Sequence, residues 1–306
     1  MLILSLIACH ATPPAPPAVP PEEPVPARAQ APAPRPELGP PTAQTVLAVG
    51  DLHGDLDNAE ATLRMLGVID AEGHWAAGQA TFVQTGDTTD RGPDSRPIMA
   101  MIRRLQGEAE AAGGEVVALL GNHEVMNMQG DLRYVDPGDV AAYGGAAPRK
   151  QAFSPAGEDG AWLRSLDAVA VVDGTVFVHG GVHPSHASTG LKGINDAVRD
   201  GIDASSKAPL GDEGPLWFRG YVQAPEGQAC PLLQQALAAL GARRMVVGHT
   251  TRRDGRIASR CDGRLHVIDI GIADHYGAHL GGWRSEAGDA IAIYPSGPVD
   301  LPDPPR

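Results

Sequence analysis

The sequence of 306 residues has few aromatic residues, few cysteines and a deficit of basic charge. Phe, Trp and Tyr make up 4% of the chain, and only three residues are cysteine. Lys and Arg number 24 against 37 Asp and Glu, so the formal net charge is -13. A general nucleic-acid binder shows a basic face. The charge balance therefore argues against that class, and we expect no nucleic-acid partner.

Long hydrophobic runs are also lacking. After the proline-rich N-terminal segment, no apolar run approaches the ~20 residues that a transmembrane helix needs. Proline is abundant but uneven, with 13 of 28 prolines between Pro13 and Pro41. Such a segment buries too little apolar surface to fold. We predict four parts: a signal segment at 1–9, a disordered Pro/Ala-rich tether at 10–43, a catalytic domain at 44–300 and a tail at 301–306.

The N-terminus reads MLILSLIA before Cys9, which is apolar but short and lacks a preceding basic residue. The tetrapeptide ending at Cys9 resembles a bacterial lipobox, whose cysteine becomes lipidated. We expect a periplasmic or membrane-anchored bacterial lipoprotein, with cleaved export or a meaningless apolar start as alternatives. Cys230 and Cys261 then remain as an even pair, either disulfide-bonded in an oxidising compartment or as two free thiols.

Predicted strands and helices alternate along the body, which indicates an α/β (α+β) fold. Five apolar runs of strand length, at 46–49, 81–84, 116–120, 175–178 and 245–247, each end in a Gly or polar cluster. Ligands in α/β proteins gather where strands end, so we expect a site there. The Asp-Gly pair at 173–174 predicts a hairpin. The segments 125–164 and 183–229 are predicted as loops or small helices around the site.

Oxygen and nitrogen donors follow these predicted strands. The donors are Asp51, His53, Asp87, Asn122, His179 and His249. Residues 51 and 53 point to the same side of an extended strand end. The carboxylate of Asp87 has two oxygens and can bridge two cations. A set without thiolate suits Mn, Fe or Zn better than Cu(I), and we predict two divalent metal ions.

Five sequence blocks stand in a fixed order: GDLHG (50–54), GDTTDRG (86–92), GNHE (121–124), HGG (179–181) and GHT (248–250). Together they resemble the calcineurin-like metallophosphoesterases. The DRG and GNHE forms resemble the phosphoprotein-phosphatase branch, and the strings at 121–135 and 214–221 resemble bacterial Shewanella-like protein phosphatases. The resemblance covers about residues 45–295. It implies two mixed β-sheets packed as a central sandwich flanked by helices.

The resemblance also implies residue roles. Asp51, His53 and Asp87 would hold the first metal. Asp87, Asn122, His179 and His249 would hold the second. Mn is the expected metal, with Fe or Zn as alternatives. The implied reaction is direct attack of a metal-bridging hydroxide on phosphorus, with no covalent enzyme intermediate.

Four further residues receive roles around the metals. His123 would act as general acid, and Asp90 would orient it. Arg91 would bind phosphate oxygens through its planar fork, and Arg219 is the candidate for a second phosphate-binding arginine. Glu124 is expected to brace its loop.

The leading functional prediction is a monomeric phosphomonoesterase for phosphorylated proteins or peptides. The alternatives are a hydrolase of dinucleoside polyphosphates such as diadenosine tetraphosphate, a general exported phosphatase for small phosphomonoesters, and a metal-free binding module. The dinucleotide alternative needs basic and aromatic residues after GNHE. The candidates are Arg133, Arg149, Lys150 and Arg164 with Tyr134, Tyr143 and Phe153. Tyr276 either covers the site or serves packing alone.

Overall fold

The computed structural model describes residues 39–204 and 209–305. The predicted signal segment at 1–9, including Cys9, and the tether up to residue 38 lie outside the described residues. Within the described ranges, none of the helices combines the length and the apolar character needed to cross a membrane.

The strands of the described chain are β1 (Thr45–Val49), β2 (Thr81–Gln84), β3 (Glu115–Ala118), β4 (Val169–Val172), β5 (Thr175–Val178), β6 (Arg244–Val247), β7 (Ala258–Arg260), β8 (Leu265–Val267), β9 (Gly282–Glu286), β10 (Asp289–Tyr294) and β11 (Gly297–Asp300). The helices are α1 (Leu56–Leu66), α2 (Ser95–Ala112), α3 (Asn122–Gln129), α4 (Pro137–Ala142), α5 (Ala146–Ala152), α6 (Glu158–Ser165), α7 (Pro184–Ala187), α8 (Gly190–Ala204), α9 (Gly220–Gln223) and α10 (Glu226–Leu240). A short 3-10 helix covers Asp274–Tyr276.

These strands form two mixed sheets, as the resemblance implies. The first has the order β11-β10-β9-β1-β2-β3, in which β1, β2 and β3 run parallel. The second has the order β4-β5-β6-β8-β7, with β5, β6 and β8 parallel. The hairpin predicted around 173–174 is confirmed as the antiparallel pair β4–β5.

The two sheets contact each other through aromatic residues. Trp283 of β9 meets Phe177 of β5 edge to face, with ring centroids 5.5 Å apart. Its indole Nε1 donates to Nδ1 of His266 in β8 at 2.8 Å. All three side chains are buried. Trp283 therefore packs between the two sheets, and its indole N–H is hydrogen-bonded even though it is buried.

Helices pack on the sheets through regular apolar faces. In α1, Ala59, Leu63 and Leu66 are buried at helical spacing. The helix begins where the Asp55 side chain accepts from the backbone N–H of Asn58, and Gly67 ends it in the left-handed conformation. This cap places the end of β1 and the start of α1 at fixed positions beside the site.

Some elements differ from the sequence prediction. The segment 183–229 contains α8, a helix of 15 residues, where only loops or small helices were expected. Its three glycines lower helix propensity, but Ile194, Val198 and Ile202 bury one face. Strands β7, β9 and β11 were not predicted, because their short runs show little apolar alternation. Pairing of β9 between β1 and β10 fixes it as a strand.

The disulfide alternative for the cysteine pair is the one the structure contains. Cys230 of α10 is bonded to Cys261 after β7, with the Cα atoms 5.3 Å apart. The described part of the predicted tail also packs on the body. Leu301 is buried, and the carboxylate of Asp303 pairs with the guanidinium of Arg244. The disulfide and the Arg244–Asp303 ion pair thus hold α10 and the C-terminal segment against the second sheet.

Candidate metal-dependent active site

The predicted metal ligands all lie in loops at the carboxyl ends of parallel strands. Asp51 and His53 follow β1, Asp87 follows β2, and Asn122 begins the helix after β3. The second sheet contributes the remaining two ligands. His179 follows β5 and His249 follows β6. Because these strand ends meet along one edge of the sandwich, side chains far apart in the sequence converge.

Asp87 lies at the centre of this cluster. Its Oδ2 is 3.7 Å from Nε2 of His53 and 3.2 Å from Nε2 of His179. Oδ2 of Asp51 is 3.7 Å from the same His53 nitrogen. Oδ1 of Asn122 lies 2.9 Å from Nε2 of His179. The geometry brings carboxylate oxygens, an amide oxygen and imidazole nitrogens to one point from both sheets.

The backbone is strained at this point. Among the described residues, ten non-glycine positions have positive φ, and half of them are predicted site residues. Those positions are His53, Asp87, Asp90, Arg91 and His249. L-residues adopt this region at a cost and mostly where the surrounding structure imposes it. Because positive φ at these positions costs stability, its concentration in the site loops indicates that they serve a function.

Two glycines permit the close approach of the first two loops. A Cβ on Gly54, where φ is +63°, would lie 2.5 Å from the carbonyl oxygen of Gly92. A Cβ at that distance cannot be accommodated without moving backbone. The GDLHG and DRG blocks therefore need glycine at 54 and 92 to bring their predicted ligands together.

The imidazole orientations fit a cation. Nδ1 of His53 is 3.1 Å from the carbonyl oxygen of Thr89, and Nδ1 of His179 is 3.0 Å from that of Thr85. Donation from Nδ1 turns a lone pair at Nε2 toward the carboxylates, an arrangement that a cation between them stabilises. Metal-ligating histidines commonly donate their other N–H to a carbonyl in this way.

His249 supplies the clearest sign of a missing partner. Its Nε2 is buried and has no hydrogen-bond partner among the residues that the structure describes. Burial lowers the pKa of His249 to about 2, with help from His179 and Arg219. Burial likewise lowers the pKa of His53 to about 4. Both rings are therefore neutral, the form that binds metals.

Burial acts on the pKa values of the carboxyl groups in the opposite direction. Burial raises the pKa of Asp51 well above its usual range, and the charges of Asp269 and Asp87 raise it further. Burial also opposes ionisation of Asp87, but His179 and His123 outweigh it and hold its pKa well below the usual range. Crowded buried carboxylates beside neutral imidazoles fit the donor set of divalent cations.

His123 and Asp90 form a buried pair beside the cluster. Nδ1 of His123 is 2.7 Å from Oδ2 of Asp90, and its backbone N–H donates to Oδ1 of Asp87 at 2.9 Å. Burial works against a protonated ring, but Asp87 and Asp90 outweigh it and raise the pKa of His123. With Nδ1 engaged, Nε2 is the nitrogen available to the pocket that His123 lines.

An open pocket of about 350 Å³ leads to these groups. Its lining includes Arg91, Arg133, Tyr134, Trp217, Arg219 and Tyr276. The guanidinium of Arg91 stacks 3.9 Å above the ring of Tyr134, and its Nε is buried with no partner among the described residues. Arg219 donates from Nη1 to the carbonyl oxygen of His249 at 2.7 Å, so it also braces that loop.

Tyr276 and Glu124 take the places that the sequence allowed for them. The ring of Tyr276 lies 5.0 Å from that of His53 and lines the pocket, so it covers the site. The buried carboxylate of Glu124 accepts from the backbone N–H groups of Gly121, Asp87, Thr88 and Thr89. It ties two motif loops together, and the bracing role is confirmed.

Sequence reasoning missed Asp269, which is buried and whose charge acts on Asp51. It follows β8, so the rule that selected acidic residues at strand ends could have found it. Of the residues proposed for binding two nucleosides, Arg133 and Tyr134 line the pocket, whereas Arg149, Tyr143 and Phe153 are buried away from it.

Comparison with known proteins agrees with this geometry. The model of the calcineurin-like phosphoesterase family matches residues 44–251, and the chain belongs to this family. It is 31% identical over 281 residues to Shewanella-like protein phosphatase 2 of Arabidopsis thaliana, covering 75% of this chain and 72% of the relative. It is 38% identical over 264 residues to an uncharacterized Schizosaccharomyces pombe protein, covering 81% of this chain and 79% of the relative.

The fold matches as well. The crystal structure of the cold-active protein-tyrosine phosphatase of a psychrophilic Shewanella species superposes with a TM-score of 0.76 at 27% identity. The match covers 84% of this chain and 80% of the Shewanella chain. Family, relatives and site together make this chain a metal-dependent phosphatase of the Shewanella-like phosphatase group.

Proposed function

We propose that the chain is a dinuclear-metal phosphomonoesterase that removes phosphate from phosphorylated proteins or peptides. The observation that carries the proposal is the convergence of buried donors around Asp87. Asp87, His179 and His249 offer ligand atoms within 4.8 Å of one another, and the buried Nε2 of His249 has no hydrogen-bond partner among the described residues. Such a constellation is costly without a ligand, and no other part of the described chain offers a comparable set.

The proposed ligand sets follow the strand ends. One cation would be held by Asp51, His53 and Asp87. The other would be held by Asp87, Asn122, His179 and His249. When bound, two divalent cations supply an activated water and neutralise charge on the phosphoryl oxygens. Mn is the proposed metal, with Fe or Zn as alternatives.

The protein's own groups supply the remaining steps. His123, held at Nδ1 by Asp90, presents Nε2 to the pocket and would protonate the leaving oxygen there. Arg91 lines the pocket with an unpartnered Nε and would bind phosphoryl oxygens. The stacking of Arg91 on Tyr134 fixes its guanidinium plane. Arg219 would bind phosphate with the nitrogens that do not brace His249.

The protein or peptide substrate rests on two supports. The relatives are named protein phosphatases, and the Shewanella structure is named a protein-tyrosine phosphatase. The pocket is open and flanked by Tyr134 and Tyr276, which suits a phosphorylated side chain presented by a larger molecule. Burial of Arg149, Tyr143 and Phe153 leaves the dinucleotide alternative with few binding residues.

A location outside the reducing cytoplasm is part of the proposal. The Cys230–Cys261 disulfide supports it, because structural disulfides persist mainly in oxidising compartments. The lipid anchor at Cys9 stays a prediction. Mass spectrometry of the protein from its native membranes would show a diacylglyceryl group on Cys9 if the chain is a lipoprotein.

The test is phosphate release by the full chain, stripped of metal and reloaded with Mn. The substrates are a phosphotyrosine peptide, a phosphothreonine peptide and diadenosine tetraphosphate. We expect metal-dependent release from at least one peptide. His123→Ala should lose activity with normal metal content. His74→Ala is the control, because His74 is exposed and does not line the pocket. Cleavage of the dinucleotide alone would refute the peptide substrate.

A further inference from the structure

A line of buried polar side chains runs away from the pocket behind His123. Asp90 accepts from Nδ2 of Asn127 at its Oδ1, at 2.9 Å, while its Oδ2 faces Nδ1 of His123. Oδ1 of Asn127 accepts from Nη1 of Arg149 at 2.7 Å. Nε of Arg149 donates to Oδ2 of Asp139, also at 2.7 Å. The line thus joins α3, α4 and α5 to the DRG loop.

Every member of this line is buried. Arg149 is 1% exposed, Asn127 is 3% exposed, and Asp90 and Asp139 are 0% exposed. A buried guanidinium is unfavourable unless its charge and donors are matched. Asp139 takes one nitrogen, and Nη2 lies 4.0 Å from Oδ1 of Asp90. The arginine therefore faces two carboxylates, and only one of them pairs with it directly.

The amide of Asn127 can have only one orientation in this setting. Arg149 donates and accepts nothing, so the amide oxygen must face it. The amide nitrogen then faces Oδ1 of Asp90 and the carbonyl oxygen of His123, both at 2.9 Å. Asn127 thereby occupies one oxygen of Asp90 and leaves the other for the imidazole.

We propose that Arg149 and Asn127 are positioning residues for the Asp90–His123 pair. Arg149 sets the orientation of the Asn127 amide, and Asn127 fixes the rotation of the Asp90 carboxylate, which in turn orients the His123 ring. The inference rests on the proposed function, because it assigns a purpose to the line only if His123 protonates the leaving group. On this proposal, residues of helices α4 and α5 help to align His123.

A purely structural role for Arg149 is the rival explanation. Its guanidinium lies 4.4 Å above the ring of Phe153, so it also packs α5. Arg103 is a matched control for this role. It pairs with the buried Asp159 at 2.8 Å and fastens α6 to α2, but it does not reach Asp90. Arg103→Met removes an ion pair to a buried carboxylate in the same part of the molecule, although the Arg103 side chain is 22% exposed and that of Arg149 is 2% exposed.

The experiment compares Arg149→Met, Asn127→Ala, Arg103→Met and His123→Ala in the metal-loaded full chain. Each variant is assayed on phenyl phosphate, whose leaving group needs a proton, and on 2,4-dinitrophenyl phosphate, whose leaving group does not. We expect Arg149→Met and Asn127→Ala to lower kcat on phenyl phosphate by about 10- to 100-fold. On the dinitrophenyl ester we expect less than about 3-fold loss, with KM and metal content unchanged.

A second readout is independent of turnover. The short bond between Nδ1 of His123 and Asp90 should give a protected downfield imidazole proton in the NMR spectrum of the metal-free protein, assigned by its loss in His123→Ala. It should broaden or disappear in Arg149→Met and Asn127→Ala and persist in Arg103→Met. If Arg149→Met does not fold, Arg149→Lys keeps a charge for Asp139 but lacks the fork for Asn127, and it takes its place.

The outcomes separate the two proposals. If His123→Ala shows the selective loss on phenyl phosphate but the two positioning variants behave like Arg103→Met, the positioning role is wrong and the phosphatase mechanism stands. If His123→Ala loses both esters equally, the general-acid assignment fails and the positioning inference fails with it. Equal selective loss in Arg103→Met would show a general loosening of the helices and overturn the inference.

Discussion

Two buried histidines of the second sheet represent two regions of this molecule. His249 lies in a loop of the candidate site, and His266 lies in β8, away from the site. Burial lowers the pKa of both, to about 2 and to about 3. His266 is bonded at both nitrogens, to Nε1 of Trp283 and to the carbonyl oxygen of Pro302. Nε2 of His249 has no partner in the described chain. Burial and a depressed pKa therefore do not mark a functional histidine, whereas an unsatisfied buried nitrogen does.

The surroundings of the two rings differ in the same sense. Around His249, several loop residues have positive φ and buried carboxylates crowd one another. Near His266, Arg244 is paired with Asp303, and the Cys230–Cys261 bond closes the adjacent turn. Positive φ also occurs at Cys261 and Asp262 in that turn, so the two regions differ in unmatched charge and not in backbone strain. Unmatched charge is tolerated at the strand ends because the satisfied end supplies stability.

The largest expected effect comes from the centre of the site. Asp87→Asn removes the charge that faces His53, His123 and His179, so we expect loss of metal and a fall in kcat of more than about 100-fold. Elemental analysis of the protein and a phosphatase assay measure the two losses. His266→Gln is the control and should keep its metal. Two equivalents of metal retained by Asp87→Asn would contradict the bridging role.

Reduction of the disulfide should act on stability alone. The bond closes a loop with a sequence separation of 31 residues, and chain entropy gives it about 3 to 4 kcal/mol. We expect reductant to lower the free energy of unfolding by this amount and to leave kcat nearly unchanged. The double variant Cys230→Ser/Cys261→Ser should unfold identically with and without reductant. Loss of activity before loss of structure would show that the bond serves the site.

Replacing His266 and His249 by alanine tests the difference between the two regions directly. His266→Ala leaves the Trp283 N–H and the Pro302 carbonyl unpaired and opens a cavity, at a cost of about 3 kcal/mol. His249→Ala should change the unfolding free energy of the metal-free protein by less than about 1 kcal/mol. It should, however, abolish most of the stabilisation by added Mn. Urea unfolding with and without Mn measures both, and equal costs in the metal-free state would break the comparison.

The pH dependence of stability gives the smallest effect. Burial lowers the pKa of His266 from about 6.5 in the unfolded chain to about 3 in the folded protein, so the unfolded chain binds the proton first as pH falls. Its contribution is therefore complete above pH 6.5 and is lost progressively toward pH 3. Between about pH 7.5 and about pH 5, His266 should account for about 2 kcal/mol of lost stability. Subtracting the profile of His266→Gln isolates this part, and parallel profiles would be the contrary result.

Much of the fold and site could be predicted because the signals are local. Apolar runs such as β1 and β2 and the residues that follow them can be read from neighbouring positions. The blocks at residues 50–54 and 121–124 carry ligand types at fixed offsets. Strand β9 could not be predicted, because GWRSE becomes a strand only through pairing with β1 and β10. Helix α8 depends likewise on the surface that buries its apolar face.

Local sequence was enough to predict the donor types, their order along the chain, the strand ends that precede them and the pairing of His123 with Asp90. Which buried polar groups find hydrogen-bond partners depends on the packing of the whole chain. Oδ1 of Asp51 accepts from the backbone of His249 across 198 positions, and Arg149 donates to the amide of Asn127, which in turn donates to Asp90. Periodicity and motifs record what lies next along the chain, whereas a hydrogen bond between distant residues exists only once both sheets and their helices have packed.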